Sequence, residues 1–341
     1  MNRSLQILGM SLFVFATACF SERAAAADLV KVGTATTLND APIVIAIEKG
    51  YFKAEGLDVE LIPFDSAAKQ IASLGIGEID VGSGAMSAGF YNALARGIGF
   101  KIVADKGHMA PGYQFQTLFM RKDLVDSGTF KSLKDLKGKK IAVPAPGVGT
   151  LAVLNEAAKA GGLVLEDIDI VYLGFAQQIA AFQNKSIDGS ILIEPPATIL
   201  AQGGYGVRFA NSQDFNPNQQ VALVFYSEKF GMERPAIATK FMKGYLRGVR
   251  VYNAALKDTR LNGGVDTEWV VSLLSQHFKI KPEVLREVYS QALNPNGDVN
   301  VNSLQRDMDF FKEKGMLKET VDLSKVVDMS FAKRAAQELA K

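Results

Sequence analysis

Two stretches of this chain repeat one another at a fixed distance, and that repetition restricts the fold more than any other feature. Lys69-Gln70-Ile71-Ala72 matches Gln177-Gln178-Ile179-Ala180, and Glu78-Ile79-Asp80-Val81 matches Ser186-Ile187-Asp188-Gly189. Gln70 and Gln178, like Ile79 and Ile187, stand 108 residues apart. The same shift sets strand-like residues 32–35 opposite 140–143, the loop around Asn39 opposite Gly147, and Met86 opposite Glu194. Agreement of helix, turn and strand at one offset predicts two similarly built α/β lobes. At 341 residues the chain also exceeds one comfortable hydrophobic core.

Within residues 30–107 the pattern is strand, loop, helix, with the polar and flexible residues gathered after the strands. Val30-Lys31-Val32-Gly33-Thr34 opens into Thr37-Leu38-Asn39-Asp40 before a helix with Pro42 in its first turn. A second strand breaks at Pro63 and leads to Ser66, and a third opens into Ser83-Gly84-Ala85-Met86. Ligands of open α/β sheets bind beyond the carboxyl ends of the strands, so these loops are expected to hold something. Thr37 and Asn39 can both donate and accept hydrogen bonds there. Asp40 is set aside as the simple cap of the helix that follows.

The second unit opens at Lys139-Lys140-Ile141-Ala142-Val143 and runs to about residue 209. Pro144-Ala145-Pro146-Gly147-Val148-Gly149-Thr150 then sits between strand and helix, where glycines let backbone N–H groups approach a ligand and the helix start favours an anion. The dinucleotide pattern G-x-G-x-x-A fits only loosely, because no acidic residue closes the next strand, and the Gly-Lys-Ser/Thr ending of a P-loop is absent. Glu194 emerges from an apolar strand. A carboxylate there must either face a wet cleft or be paired, and both readings stay open.

Two extended runs, 114–120 and 220–226, are the expected connections by which one lobe is inserted into the other, and hence the hinge. From Pro235 the chain turns helical. Ile237, Phe241, Tyr245, Val249, Tyr252 and Leu256 form an apolar stripe, with Lys240, Lys243, Arg247 and Arg250 on a solvated face. The helices that follow are expected to pack back on the first lobe. The implied division is a leader over 1–27, the first part of lobe 1 over 28–115, lobe 2 over 116–224, and the return of lobe 1 with the C-terminal helices over 225–341.

The balance of 38 basic and 36 acidic residues gives no reason to expect nucleic acid as a partner. Arg3, the apolar run to Ala18 and Ala25-Ala26-Ala27 read as an export signal cleaved before Asp28, which places the chain in the periplasm. The alternative, Cys19 as the lipidated first residue of a lipoprotein, fits less well because Ala16-Thr17-Ala18 lacks the usual leucine. Cleavage leaves no cysteine, and only His108 and His277, without metal-ligand spacing. No G-x-S-x-G elbow is present. An enzyme, a metal and a cofactor are therefore not expected.

Glu48-Lys49-Gly50-Tyr51-Phe52, Glu55-Gly56-Leu57-Asp58-Val59, Gly77-Glu78-Ile79-Asp80-Val81-Gly82, the run from Leu133 to Val143 and Glu194-Pro195 together resemble the nitrate/sulfonate/taurine solute-binding proteins of bacterial ABC importers. Thiamine-precursor-binding proteins are similar. The resemblance implies a type II periplasmic binding protein fold, α/β in class, with two lobes, two crossing strands and a C-terminal helical segment. It further implies a monomer that closes on a small-molecule ligand and delivers it to a membrane permease. Carried over by motif, the binding positions are Thr37, Leu38, Asn39, Ser66, Ser83, Gly84, Met86, Gly147, Gly149, Thr150, Gln177 and Glu194. With no Arg or Lys in these loops, an anion would rely on backbone donors and helix starts, and Phe64, Tyr113, Phe175 or Phe225 would accommodate a flat body. A small organic anion of sulfonate or aromatic carboxylate type is the first expectation, a pyrimidine-like thiamine precursor the second. An enzyme resembling the thiamine-pyrimidine synthases is disfavoured by the missing cysteines.

Overall fold

The computed structural model describes residues 27–35, 37–64 and 66–341. Nearly all of the expected leader, Cys19 included, lies outside them.

Among the described residues ten strands form two five-stranded sheets with matching orders. The strands of the first are β1 (Asp28–Thr34), β2 (Leu57–Pro63), β3 (Val81–Gly84), β4 (Phe100–His108) and β10 (Gln220–Ser227), in the order β2-β1-β3-β10-β4. Those of the second are β5 (Gln116–Arg121), β6 (Lys140–Val143), β7 (Asp169–Tyr172), β8 (Gly189–Ile193) and β9 (Gly206–Asn211), in the order β7-β6-β8-β5-β9. Each sheet has a parallel half, β2-β1-β3 or β7-β6-β8, completed by one antiparallel strand, β10 or β5. The two matched segments of the sequence explain the likeness atom by atom. Asp80 bonds Lys31 through both backbone N–H and carboxylate (2.9 Å each), and Asp188 does the same to Lys140 (2.8 and 2.9 Å). Gln70 and Gln178 are both fully buried. The first grips the backbone of Ser83 on both sides, and the second spans Leu173 and Ser190.

The two extended runs expected to connect the lobes are interior strands of the two sheets, β5 and β10. Each begins just after the chain has crossed between lobes, at 109–115 before β5 and at 212–219 before β10, so each lobe receives its antiparallel strand from a crossing. The boundary expected between 224 and 225 cuts through β10, which pairs with β4 from Gln220 onward, so the chain has returned to the first lobe by that residue. Met109 N–H donates to Gln219 O (2.8 Å), which ties the two crossings together.

Six helices matter for the site: α1 (Ala41–Glu48), α2 (Ala88–Ala95), α3 (Gly149–Ala160), α4 (Pro196–Gln202), α5 (Pro235–Ala254) and α6 (Val301–Glu313). Of the predicted apolar stripe Phe241, Tyr245, Val249 and Tyr252 are buried and Ile237 and Leu256 half-buried, with Phe241 stacked on Phe52 at 4.9 Å. Gly248 lets α5 lie directly on α1, since a Cβ there would stand 2.1 Å from Pro42 O. The basic face of α5 is not simply solvated. Lys243 pairs with Glu55 (2.9 Å) and Glu338 (3.2 Å), and Arg247 lies over Tyr51.

One C-terminal helix departs from the expected packing on the first lobe alone. Leu304, Met308 and Phe311 of α6 join a core containing Phe90 and Phe225 of the first lobe and Ile141, Leu151 and Leu154 of the second. Its backbone accepts from Tyr91 (2.9 Å), while Lys314 just beyond it pairs with Glu166 of the second lobe (2.7 Å). The helix bridges the lobes because its apolar face is broad enough to serve both.

Candidate ligand-binding site

A cavity of about 210 Å³ lies where the carboxyl ends of the two parallel half-sheets face each other. The first lobe contributes Asn39, Ala85 and Met86, from the loops after β1 and β3. The second contributes Gln116 at the start of β5, Pro144, Val148, Gly149 and Thr150 between β6 and α3, Phe175, and Ile193. Gln219, Gln220 and Val221 form the wall at the second crossing, and Asp307 of α6 closes the side. Larger hollows, of about 470 and 530 Å³, lie at the amino ends of β1 and β3 and between the first crossing at Gly112 and Gln114 and residues 257–262.

The lobes touch beside this cavity. Ala88 N–H donates to Gly147 O (2.9 Å), and Ser87 and Val148 form an isolated bridge. Gly147 adopts φ +69°, a conformation that glycine reaches at little cost. Val148 occupies the N-cap position of α3 with no side-chain cap, and in the first turn of this 12-residue helix Leu151 N–H donates to Val148 O (3.0 Å), so the N–H groups ahead of it are the ones open to another partner. Three side-chain oxygens around the cavity, on Gln116 (3% exposed), Thr150 (8%) and Gln219 (2%), are buried without a partner. Buried polar groups are rarely left so.

Asp307 is 7% exposed, and burial pushes its carboxyl up to about 7. Arg306 and the Gln219 amide draw it down, Glu156 of α3 draws it up, and desolvation outweighs them all. None of the lining residues is Lys or Arg. Among the described residues no group of three or more His, Cys, Asp or Glu side chains is placed to hold a metal ion.

Of the residues chosen from sequence, Asn39, Met86, Gly149 and Thr150 line the cavity together, and Gly147 shapes the lobe contact at its edge. The others have different duties. Ser83 is completely buried beneath the first sheet's strand ends, 2.7 Å from the Lys106 ammonium, which also pairs with Asp40. Gly84, at φ +146°, lies against Ala67, where a Cβ would approach that methyl to 2.3 Å. Leu38 packs against the first-lobe core, and the exposed Thr37 and Ser66 each precede a short 3₁₀ turn. Gln177 is exposed, and its side chain accepts from Gly174 N–H (2.9 Å) at the start of its own helix.

Glu194 corrects a more specific expectation. Its carboxylate is buried in an ion pair with Arg208, and Thr198 of α4 donates to it from both N–H and hydroxyl (3.0 Å each). Burial raises its pKa above the usual carboxylate range, against the pull of Arg208. The paired alternative describes it, and the cleft role does not. Among the aromatic candidates only Phe175 lines the cavity, and Phe225 is stacked on Phe90 in the core.

The sequence reading missed Gln219 and Asp307. A signal for Asp307 exists, since Ser303, Leu304, Asp307, Met308 and Phe311 share one helical face and an acid among buried residues is unusual.

Two α/β lobes, two crossings and a shared cavity at the strand ends define the class to which the periplasmic binding proteins belong. The chain itself belongs to the NMT1/THI5-like family, whose pattern matches residues 37–257. A Bacillus subtilis (strain 168) protein named for aliphatic sulfonate binding is 27% identical over 317 residues, covering 91% of this chain and 88% of that protein. The periplasmic aliphatic sulphonate binding protein SsuA from Escherichia coli has the same fold, with a TM-score of 0.69 at 18% identity over 89% of this chain and 92% of that one. So has the periplasmic nitrate-binding protein NrtA from Synechocystis PCC 6803, with a TM-score of 0.71 at 16% identity over 92% and 89%. The fold also carries chemistry elsewhere: the desulfurization enzyme DSZB superposes with a TM-score of 0.64 at 13% identity over 92% of this chain and 99% of that one. Among the described residues no helix is long and apolar enough to cross a membrane.

Proposed function

We propose that this protein is the periplasmic solute-binding component of an ABC importer, capturing a small organic anion of sulfonate or aromatic carboxylate type and releasing it to a membrane permease without transforming it. The observation that carries the reading is the uncapped start of α3 opening on a cavity shared by both lobes, with the side-chain oxygens of Thr150, Gln116 and Gln219 left without partners around it. An anion at a helix start is stabilised by free N–H groups and the helix dipole, with no cation needed. A hydroxyl and an amide can each turn a donor towards it. Met86, Val148, Phe175 and Ile193 offer an apolar wall to the organic part. The volume, below the ~300 Å³ where drug-sized pockets begin, favours a compact solute. The lobe contact at Gly147 supports closure, in which a solute touching both lobes stabilises the closed state by its higher affinity for it.

A pyrimidine-like ligand has one observation in its favour, since ring N–H groups would donate to the unpartnered amide oxygens as they stand, whereas an anion needs those amides to turn. Thermal unfolding separates the two. The chain from Asp28, unfolded and refolded to strip any carried solute, is titrated with short alkanesulfonates, aromatic carboxylates, pyrimidines and nitrate. A midpoint that climbs with sulfonate or aromatic carboxylate concentration is expected, because a ligand of the native state stabilises by mass action. A shift with pyrimidines alone replaces the ligand class, and sulfonate consumption by the purified protein overturns the binding-only reading.

A further inference from the structure

We infer that Asp307 meets the bound anion as a neutral carboxylic acid that donates a hydrogen bond to it, so that wherever Asp307 is ionised in the empty site a proton is taken up with the anion. The inference rests on the organic-anion reading above and assigns to that site a specificity-determining residue on the bridging helix α6.

The argument is one of elimination by charge. Asp307 lines the cavity from the side opposite no cation at all, because the lining residues include neither Lys nor Arg. The groups facing it from each packed element are few. Arg306 precedes it on α6 but directs its guanidinium to Pro217 O (3.2 Å). Glu156 of α3 adds a second negative charge nearby, itself held by Lys159 at 3.0 Å. Tyr91 of α2 presents a phenol whose own ionisation is pushed up by burial and by the charge of Asp307. Gln219 from the crossing contributes an amide.

An ionised carboxylate in such surroundings would be a buried charge whose one nearby cation, Arg306, is turned to Pro217 O, which is costly, and the usual escape is to keep the proton. The rise of this carboxyl to about 7 agrees with that expectation. A neutral acid then carries an O–H that needs an acceptor. An incoming sulfonate or carboxylate supplies one, and the anion would repel the ionised form of Asp307 across the same small cavity. The residue therefore favours solutes with a strong acceptor and disfavours binding wherever it is ionised.

The test is the affinity of the chain from Asp28 for ethanesulfonate and for benzoate, measured by calorimetry from pH 5 to 9. Affinity independent of pH at the acid end, then falling towards about tenfold per unit above the carboxyl's pKa, is expected of the wild type. Asp307→Asn keeps a donor that does not titrate, and its affinity, whatever its absolute value, should be flat. Calorimetry of the wild type in two buffers of different ionisation enthalpy should report about one proton absorbed per anion bound at pH 8.5, which needs no variant to fold. A flat wild-type profile, no proton uptake, or the same slope in Asp307→Asn overturns the proposal while leaving anion binding intact. Tighter binding of 2-aminoethanesulfonate as pH rises, lost in Asp307→Asn, makes Asp307 a counter-ion and also overturns it. Failure of both anions to bind at pH 6 removes the anion reading itself.

Discussion

The helices that follow the first parallel strand of each lobe, α1 and α3, begin at matched positions and are finished in opposite ways. Asp40 is the N-cap residue of α1 and Val148 that of α3, 108 residues apart like the rest of the repeat. In the first lobe the helix start is filled from within. Asp40 accepts from Thr37 N–H (3.2 Å) and is paired with Lys106, whose ammonium also reaches Ser83, and all three groups are buried. In the second lobe an apolar residue stands in the same place and the space in front is the cavity; neither helix receives a side-chain cap, Asp40 being turned to Thr37 and Lys106 instead of capping α1 as expected, so the difference lies in the buried charge. The same local architecture thus surrounds a buried ion pair in one lobe and opens on a cavity in the other, with a charged residue at the matched position in the first and an apolar one in the second.

The largest effect should come from breaking the ion pair. Asp40→Val gives the first lobe the second lobe's residue and leaves Lys106 buried without its partner. Removing one member of a buried pair typically costs about 3–5 kcal/mol, so the urea midpoint should fall steeply, and Asp40→Val with Lys106→Met should recover much of the loss. A loss below about 1 kcal/mol in the single variant would mean that Lys106 has another source of compensation. The converse change, Val148→Asp, gives the second lobe the first lobe's residue. A carboxylate at this N-cap satisfies helix donors and should stabilise the fold by about 1 kcal/mol. The same charge stands where the anion is proposed to bind, so affinity for ethanesulfonate should drop on the order of 100-fold, equivalent to about 2.7 kcal/mol. Stabilisation with unchanged affinity would move the anion away from α3.

This contrast also explains what could be read from the chain before its structure. The two lobes were legible because the contacts that define them are local and repeated: Asp80 with Lys31 and Asp188 with Lys140 recur within one supersecondary unit. Asn39, Met86, Gly149 and Thr150 were legible because strand-end loops of parallel half-sheets must face one another. The status of a carboxylate was not. Glu194 is neutralised by Arg208 on the neighbouring helix–strand unit, Asp40 by Lys106 on a strand 66 residues away, and Asp307 by nothing comparable. Which acid finds a cation is decided by tertiary packing, and no local pattern in the sequence distinguishes the three.

Asp307 therefore sharpens the comparison through pH. In the unfolded chain its carboxyl titrates near the ordinary ~3.9, and in the folded chain at about 7. Between these values the folded state holds more protons, so this group's contribution to stability falls as pH rises and the loss is complete above the folded value. Asp307→Asn removes that dependence. Relative to wild type without ligand, it should gain on the order of 2 kcal/mol between pH 5 and pH 8 in urea unfolding. Parallel profiles for the two proteins would show that the carboxyl is better solvated or paired than its surroundings indicate.

The smallest effect separates two threonines. The Thr198 hydroxyl donates to Glu194 (3.0 Å) and receives a hydrogen bond from Arg208 (3.1 Å), so Thr198→Val breaks a satisfied buried network and should destabilise by about 1–3 kcal/mol with ethanesulfonate affinity unchanged. The Thr150 hydroxyl has no partner. Thr150→Val removes an unsatisfied buried group, so the ligand-free protein should be as stable as wild type or slightly more so. The cost should appear only on binding, as an affinity lower by about 1 kcal/mol, or roughly fivefold. If Thr150→Val instead destabilises the empty protein and leaves affinity alone, the hydroxyl serves the fold as Thr198 does. The two helix starts would then differ in charge without differing in purpose.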